Sequence, residues 1–265
     1  MFSPDDHRYM ARALRLAERG LFTTDPNPRV GCLLVRDGNV VGEGWHMRAG
    51  SPHAEVHALQ QAGGDAAGAT VYVTLEPCSH HGRTPPCASA LIEAGVARVV
   101  AAMQDPNPAV AGQGLQALRD AGIDVAAGLL EDQAGQLNPG FAMRMRLGRP
   151  WVRCKLAMSL DGRTAMASGE SRWITGSAAR EDVHRLRARS SAIMTGIDTV
   201  LADDPSLTAR LTGHDDGTLL QPLRVVLDSG LRLPPEAKLL MQPGETLIVT
   251  GVADAEREAA LARTG

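Results

Sequence analysis

Met10, Ala13, Leu14 and Ala17 recur at the three-and-four spacing of a single helix face. They follow Ser3-Pro4-Asp5-Asp6, which reads as an N-cap, a first-turn proline and two acids favoured by the helix dipole, and Gly20 supplies the stop. The period then shortens to that of strands. Val30–Val35 and Val40–Gly44 flank Asp37-Gly38-Asn39, a turn signal, and predict a β-hairpin. Glu55–Ala62 returns to helical spacing. Beyond it, short apolar runs at Thr70–Leu75, Arg98–Met103 and Ile123–Ala126 alternate with helical stretches at Ala88–Ala94 and Gly114–Ala121. Strands and helices in alternation predict a sheet covered by helices on its faces.

A polar helical stretch from Asp132 runs into Leu147-Gly148-Arg149-Pro150, where Gly and Pro mark a boundary. Apolar runs resume at Trp151–Met158, Ala192–Thr195, Leu223–Leu227 and Thr246–Thr250, with a helix expected over Glu181–Arg189. The pattern is again α/β, and nucleotides are expected at the carboxyl ends of its parallel strands. A length of 265 residues agrees with two compact units, placed at 1–147 and 148–265.

Composition narrows the chemistry. Apolar residues make up 44% of the chain but aromatics only 3%, so the core rests on Ala, Val, Leu, Ile and Met. A net charge of -3 lacks the basic excess of a nucleic-acid partner. No run approaches a membrane span, and Met1-Phe2-Ser3-Pro4-Asp5-Asp6 lacks a cationic secretory start, so a cytoplasmic protein is expected. The 4 cysteines are too few for a disulfide scaffold. Cys32 and Cys154 lie in strand-like apolar runs and are expected to be small buried residues.

The other two cysteines carry chemistry. Pro52-His53-Ala54-Glu55 is followed, across one predicted strand, by Glu76-Pro77-Cys78 and Pro85-Pro86-Cys87. One imidazole and two thiolates suit zinc, and three protein ligands leave a fourth position open for water, as a catalytic site requires. A fourth ligand from His57, His80 or His81 would make the site structural instead. Glu55, two residues past His53 at a predicted helix start, can face that water without ligating the metal. Hydrolytic deamination needs such a carboxylate, because a proton must leave the attacking water and arrive on the departing ammonia. The nucleobase-deaminase signature is His-x-Glu followed by Pro-Cys-x-x-Cys. Here a loop, Ser79-His80-His81-Gly82-Arg83-Thr84-Pro85-Pro86, widens the cysteine spacing with polar and cationic groups.

These motifs, with Asn27-Pro28-Arg29-Val30-Gly31, Gly44-Trp45-His46 and Asp105-Pro106-Asn107-Pro108, resemble the deaminase half of the bifunctional riboflavin-biosynthesis deaminase/reductase family. Lys155-Leu156-Ala157-Met158-Ser159-Leu160-Asp161-Gly162, Ser168–Thr175, Asp198–Pro205 and Leu207-Thr208-Ala209-Arg210 are similar to its reductase half. The resemblance implies a cytidine-deaminase-like three-layer α/β/α domain followed by a dihydrofolate-reductase-like α/β domain that stops short of that family's late Gly-rich turn. It implies zinc on His53, Cys78 and Cys87, Glu55 as proton shuttle, and Asn27, His46, Arg83, Asp105 and Asn107 toward the substrate. In the second domain it implies NADPH on Ala157, Trp173, Thr199, Asp203 and Ser229. Ser171, Arg187, Leu207 and Arg210 would hold the phosphorylated pyrimidine there, and Lys155 would assist hydride transfer.

Two rival readings follow from the same residues. A cytidine, cytosine or tRNA adenosine deaminase would share the zinc chemistry, but the long cysteine loop, the fused second domain and the acidic balance weigh against it. A nucleotide-binding protein without catalysis would have no use for Glu55. A homo-oligomer is expected only by analogy with other α/β domains of this kind.

Overall fold

The computed structural model describes residues 1–79, 85–171, 173–213 and 219–263. They form two compact units, Met1–Arg153 and Cys154–Gly265.

In the first unit, α1 (Pro4–Glu18) begins with a reciprocal capping box: the Ser3 hydroxyl accepts from the Asp6 N–H, and the Asp6 carboxylate accepts from the Ser3 N–H. The hairpin β1 (Gly31–Arg36) and β2 (Asn39–Trp45) turns through Asp37 and Gly38, both at positive φ. After α2 (Ala54–Ala62) come β3 (Thr70–Val73), α3 (Cys87–Glu93), β4 (Arg98–Ala101), α4 (Gln113–Asp120) and β5 (Asp124–Ala127). The sheet runs β2-β1-β3-β4-β5, with β1 antiparallel to both neighbours and β3, β4 and β5 parallel. Alternation along the strands feeds two apolar clusters. Cys32, Leu34, Val71, Val73 and Val99 pack on Ala54, Ala58, Leu91 and Leu118, while Leu33, Tyr72 and Val100 pack on Tyr9, Met10, Ala13 and Ala134. The result is the three-layer arrangement expected.

The helical stretch after Asp132 divides into α5 (Glu131–Leu137) and α6 (Pro139–Leu147). Pro139 explains the break, since it disfavours helical geometry at Asn138 and removes a backbone donor. The buried Asn138 amide accepts from the Arg29 N–H at 2.8 Å and donates to the Arg29 carbonyl at 2.9 Å, tying this corner to the segment that carries Asn27.

In the second unit, α7 (Ser177–Ala188) precedes a parallel sheet of β6 (Ala192–Gly196), β7 (Leu223–Leu227) and β8 (Thr246–Val249). Helix α8 (Ile197–Asp203) follows β6 directly, and α9 (Ala255–Ala262) follows β8. Ile197, Val200, Val226, Leu231, Leu233 and Leu239 form its core. One expectation fails: Trp151–Met158 forms no strand and is largely exposed. An apolar run becomes a strand only where another backbone pairs with it, and none does so among the described residues. Cys154, expected to be buried in that strand, is exposed for the same reason.

Candidate deaminase and reductase sites

Helix α2 is pressed onto β2 by two glycines. A Cβ at Gly42 would lie 2.2 Å from the Ala58 carbonyl oxygen, and one at Gly44 would lie 2.4 Å from that of Ala54. This close approach sets the start of α2 at the sheet edge, with His53 as N-cap and Glu55 in the first turn. Cys78 follows β3, and Cys87 opens α3. The three donor atoms of His53, Cys78 and Cys87 lie within 4.8 Å of one another, and His57 is not among them. His53 Nδ1 is 3.2 Å from Cys87 Sγ and 3.6 Å from Cys78 Sγ, while the Cys87 N–H donates to Cys78 Sγ at 3.2 Å.

The electrostatics of the cluster suit a cation. Hydrogen bonds from Cys87, His53 and the Cys87 backbone pull the Cys78 thiol down toward thiolate, while the same pairing with Cys78, together with burial, pushes Cys87 up. The pair thus shares a proton that a metal would displace. Contact with Cys78 raises His53 despite burial. Burial pushes Glu55 up to about 7, well above a carboxylate's ordinary range. It is only 4% exposed, so its carboxyl is screened from bulk water beside the donors. Soft sulfur and imidazole donors at this spacing fit zinc.

Asn27 and His46 also come together here. His46 Nε2 accepts from Asn27 Nδ2 at 3.1 Å, and its Nδ1–H donates to the Pro52 carbonyl at 3.2 Å, one residue before His53. The His46 and His53 rings meet edge to face with centroids 5.7 Å apart. Asp105 and Asn107 use carboxylate and amide oxygens to cap their own turn, accepting from the N–H groups of Asn107 and Ala109. Arg83 lies outside the described residues.

A residue given no role by its motif proves central to the geometry. The buried Glu76 carboxylate accepts from four backbone N–H groups, those of Asp105, Gly112, Gly114 and Leu115. It fixes the turn carrying Asp105 and Asn107 to the segment that presents Cys78. Its partners are distant in sequence, so only its position before Pro77-Cys78 hinted at a role.

In the second unit, Thr199 lies on α8 at the carboxyl end of β6, Asp203 ends that helix, and Ser229 lies just past the carboxyl end of neighbouring β7. These are the positions where parallel α/β sheets take nucleotides. Arg187 and Arg210 are joined through Thr208: Arg187 Nη1 donates to its carbonyl at 3.1 Å and Arg210 Nη1 to its hydroxyl at 3.2 Å. The adjoining Leu207 is buried and held at φ 51, an unfavourable conformation for a branched side chain. None of Lys155, Ala157, Ser171 and Trp173 lies in a helix or strand. Lys155 is exposed, and the 73%-exposed Trp173 ring is stacked beneath the Arg180 guanidinium.

Known proteins share both halves. Residues 3–103 match the cytidine and deoxycytidylate deaminase zinc-binding region, and residues 150–262 match the RibD C-terminal domain. The chain is 63% identical to riboflavin biosynthesis protein RibD of Escherichia coli K12, over 91% of this chain and 68% of that protein. It is 58% identical to the Haemophilus influenzae protein of the same name, over 94% and 69%. Acinetobacter baumannii RibD superposes with a TM-score of 0.91 at 55% identity, covering 97% of this chain and 72% of that one. A Thermotoga maritima diaminohydroxyphosphoribosylaminopyrimidine deaminase/5-amino-6-(5-phosphoribosylamino)uracil reductase superposes at 0.87 with 37% identity, covering 98% and 77%. These likenesses favour neither rival reading. Among the described residues no helix is long and apolar enough to cross a membrane. With a zinc-type deaminase domain followed by a reductase domain in one chain, the protein belongs to the RibD family of riboflavin-biosynthesis enzymes.

Proposed function

We propose that the first domain, closing at the Leu147-Gly148 junction, hydrolyses the ring amine of a diaminohydroxyphosphoribosylaminopyrimidine to the aminouracil and ammonia. The observation that carries this reading is the buried Glu55 carboxyl beside the three donors of His53, Cys78 and Cys87. Zinc on those donors supplies the Lewis acidity that makes water a nucleophile near neutral pH. Glu55 would take the proton from the attacking water and return it to the leaving amine, a double duty suited to a carboxyl that is buried beside the donors. The Asn27–His46 pair forms one wall of the pocket and orients the ring. The Glu76-anchored turn presents Asp105 and Asn107, and Arg83 belongs to the same substrate-facing set.

The second domain then reduces the ribose of the deaminated product with NADPH. The cofactor is read onto Ala157, Trp173, Thr199, Asp203 and Ser229, and the substrate onto Ser171, Arg187, Leu207 and Arg210. Lys155 is assigned to the carbonyl undergoing hydride transfer. Lys155→Met should slow NADPH oxidation at saturating substrate, and an unchanged rate removes Lys155 from the chemistry.

The deciding experiment measures ammonia release from the phosphoribosylated diaminopyrimidinone by the chain and by Glu55→Gln, before and after zinc chelation. Release that requires both zinc and Glu55 is expected. No release by folded, zinc-loaded protein would overturn the reading.

A further inference from the structure

The segment Leu207–Leu211 belongs to no helix or strand, yet Leu207, Thr208, Ala209 and Leu211 are buried. Its buried peptide groups therefore need side-chain partners. Gln221 supplies two: the Ala209 N–H donates to Gln221 Oε1 at 2.9 Å, and Gln221 Nε2 donates to the Ala209 carbonyl at 3.0 Å. Because a trans peptide is planar, these bonds act on both flanking residues. The Ala209 N–H shares its plane with the Thr208 carbonyl, which accepts from Arg187 Nη1 at 3.1 Å. The Ala209 carbonyl shares its plane with the Arg210 N–H, which donates to His184 Nδ1 at 3.3 Å. One side-chain amide thus fixes the two peptides on which both arginines depend. Arg210 Nη1 in turn donates to the Thr208 hydroxyl at 3.2 Å.

Gln221 is itself held. Gly244 lies beside it at φ 97, and a Cβ there would stand 2.9 Å from Gln221 Cβ. The Gln242–Gly244 turn is pinned by the buried Arg224 of β7, whose guanidinium donates to the carbonyls of Gln242, Pro243 and Gly244 and to the Thr246 hydroxyl. Among the described residues neither Arg187 nor Arg210 is within ion-pair distance of a carboxylate, which leaves guanidinium N–H groups for an anion.

We infer that Gln221 is a positioning residue of the anion site formed by Arg187 and Arg210. It acts on a bound phosphate only through the peptide groups of Ala209, by fixing where the two guanidiniums stand relative to each other. Since the held segment is the one that binds the anion, the anion in return stabilises the Gln221–Ala209 pairing. The inference rests on the reading of Arg187 and Arg210 as ligands of the phosphorylated substrate.

The test titrates sulfate, with ribose 5-phosphate as the larger probe, into the 265-residue chain and follows the backbone N–H resonances of Thr208 and Arg210. Gln221→Met keeps the length of the side chain and removes both hydrogen bonds, and it should weaken sulfate binding about tenfold. Leu261→Ala cuts into the core of the same unit from α9; it should lower the thermal midpoint and leave sulfate affinity unchanged. In the wild-type chain, sulfate at about ten times its Kd should slow hydrogen exchange of the Ala209 amide about tenfold, an arm that needs no variant to fold. Unchanged affinity in Gln221→Met, an equal loss in Leu261→Ala, or an Ala209 amide indifferent to sulfate each overturns the inference and leaves the anion site standing. No sulfate binding, or binding unchanged in Arg187→Ala and Arg210→Ala, overturns the anion-site reading and the inference with it.

Discussion

The N–H of Gly114 meets the carboxylate of Glu76 at 2.9 Å, and no side chain could stand where that glycine does, since a Cβ would lie 2.0 Å from the Pro77 carbonyl oxygen. Helix α4 is thereby seated on the segment leading to Cys78. Glu76→Ala leaves four N–H groups, those of Gly114 and Leu115 buried, without their acceptor and should destabilise the protein by about 3 kcal/mol or more. Gly114→Ala should cost a similar amount through the clash. Thermal unfolding of the zinc-loaded protein measures both, and a loss under about 1 kcal/mol for Glu76→Ala would show that the carboxylate is not the anchor.

Zinc retention should depend on Cys87. Cys87→Ala removes one of three donors, so metal analysis after gel filtration should find little bound zinc. Far-UV circular dichroism should stay native, because His53, Cys78 and Cys87 lie outside the two apolar clusters that hold the sheet to its helices. Full zinc occupancy in the variant would exclude Cys87 as a ligand.

The Asn27–His46 bond predicts a split in kinetics. Asn27→Ala removes the partner of His46 Nε2, and KM for the deamination substrate should rise about fivefold, the value of one hydrogen bond, with kcat nearly unchanged. An unchanged KM would take the pair out of the pocket wall.

Acid sensitivity should trace to Asp6. Burial alone would raise its pKa, but hydrogen bonds from Arg98, Ser3 and Tyr72 outweigh it and hold the carboxyl well below its ordinary range. A group depressed on folding stabilises the fold fully above its unfolded pKa, near 4, and loses that contribution as pH falls through the depressed folded value. Asp6→Asn breaks the pair between the buried Asp6 and the half-buried Arg98 and should cost about 3 kcal/mol at pH 7, with a smaller difference from wild type near pH 3. Urea unfolding at both pH values checks this. An equal difference at both would assign the acid limb to other carboxylates.

Much of the first unit was legible because its signals are local. The N-cap at Ser3, the Asp37-Gly38 turn and the period change between α2 and β3 each act within a few residues. His53, Cys78 and Cys87 were legible because zinc restricts donor type and spacing. Glu76 and Asn138 were given no role because each derives it from partners far along the chain, up to 109 residues away for Asn138 and Arg29. Trp151–Met158 misled for the reverse reason, since its apolar spacing is local and strand pairing is not.

The Asn138 amide meets both polar groups of the Arg29 peptide, much as a neighbouring strand would. The brace therefore comes from a residue made late relative to the three metal donors. His53, Cys78 and Cys87 all precede Asn138 in the chain, so the three donors are synthesised before the segment beside Asn27 has its brace. A fragment ending between Asp120 and Asn138 would have zinc donors and most of the sheet, yet would bind pyrimidine poorly.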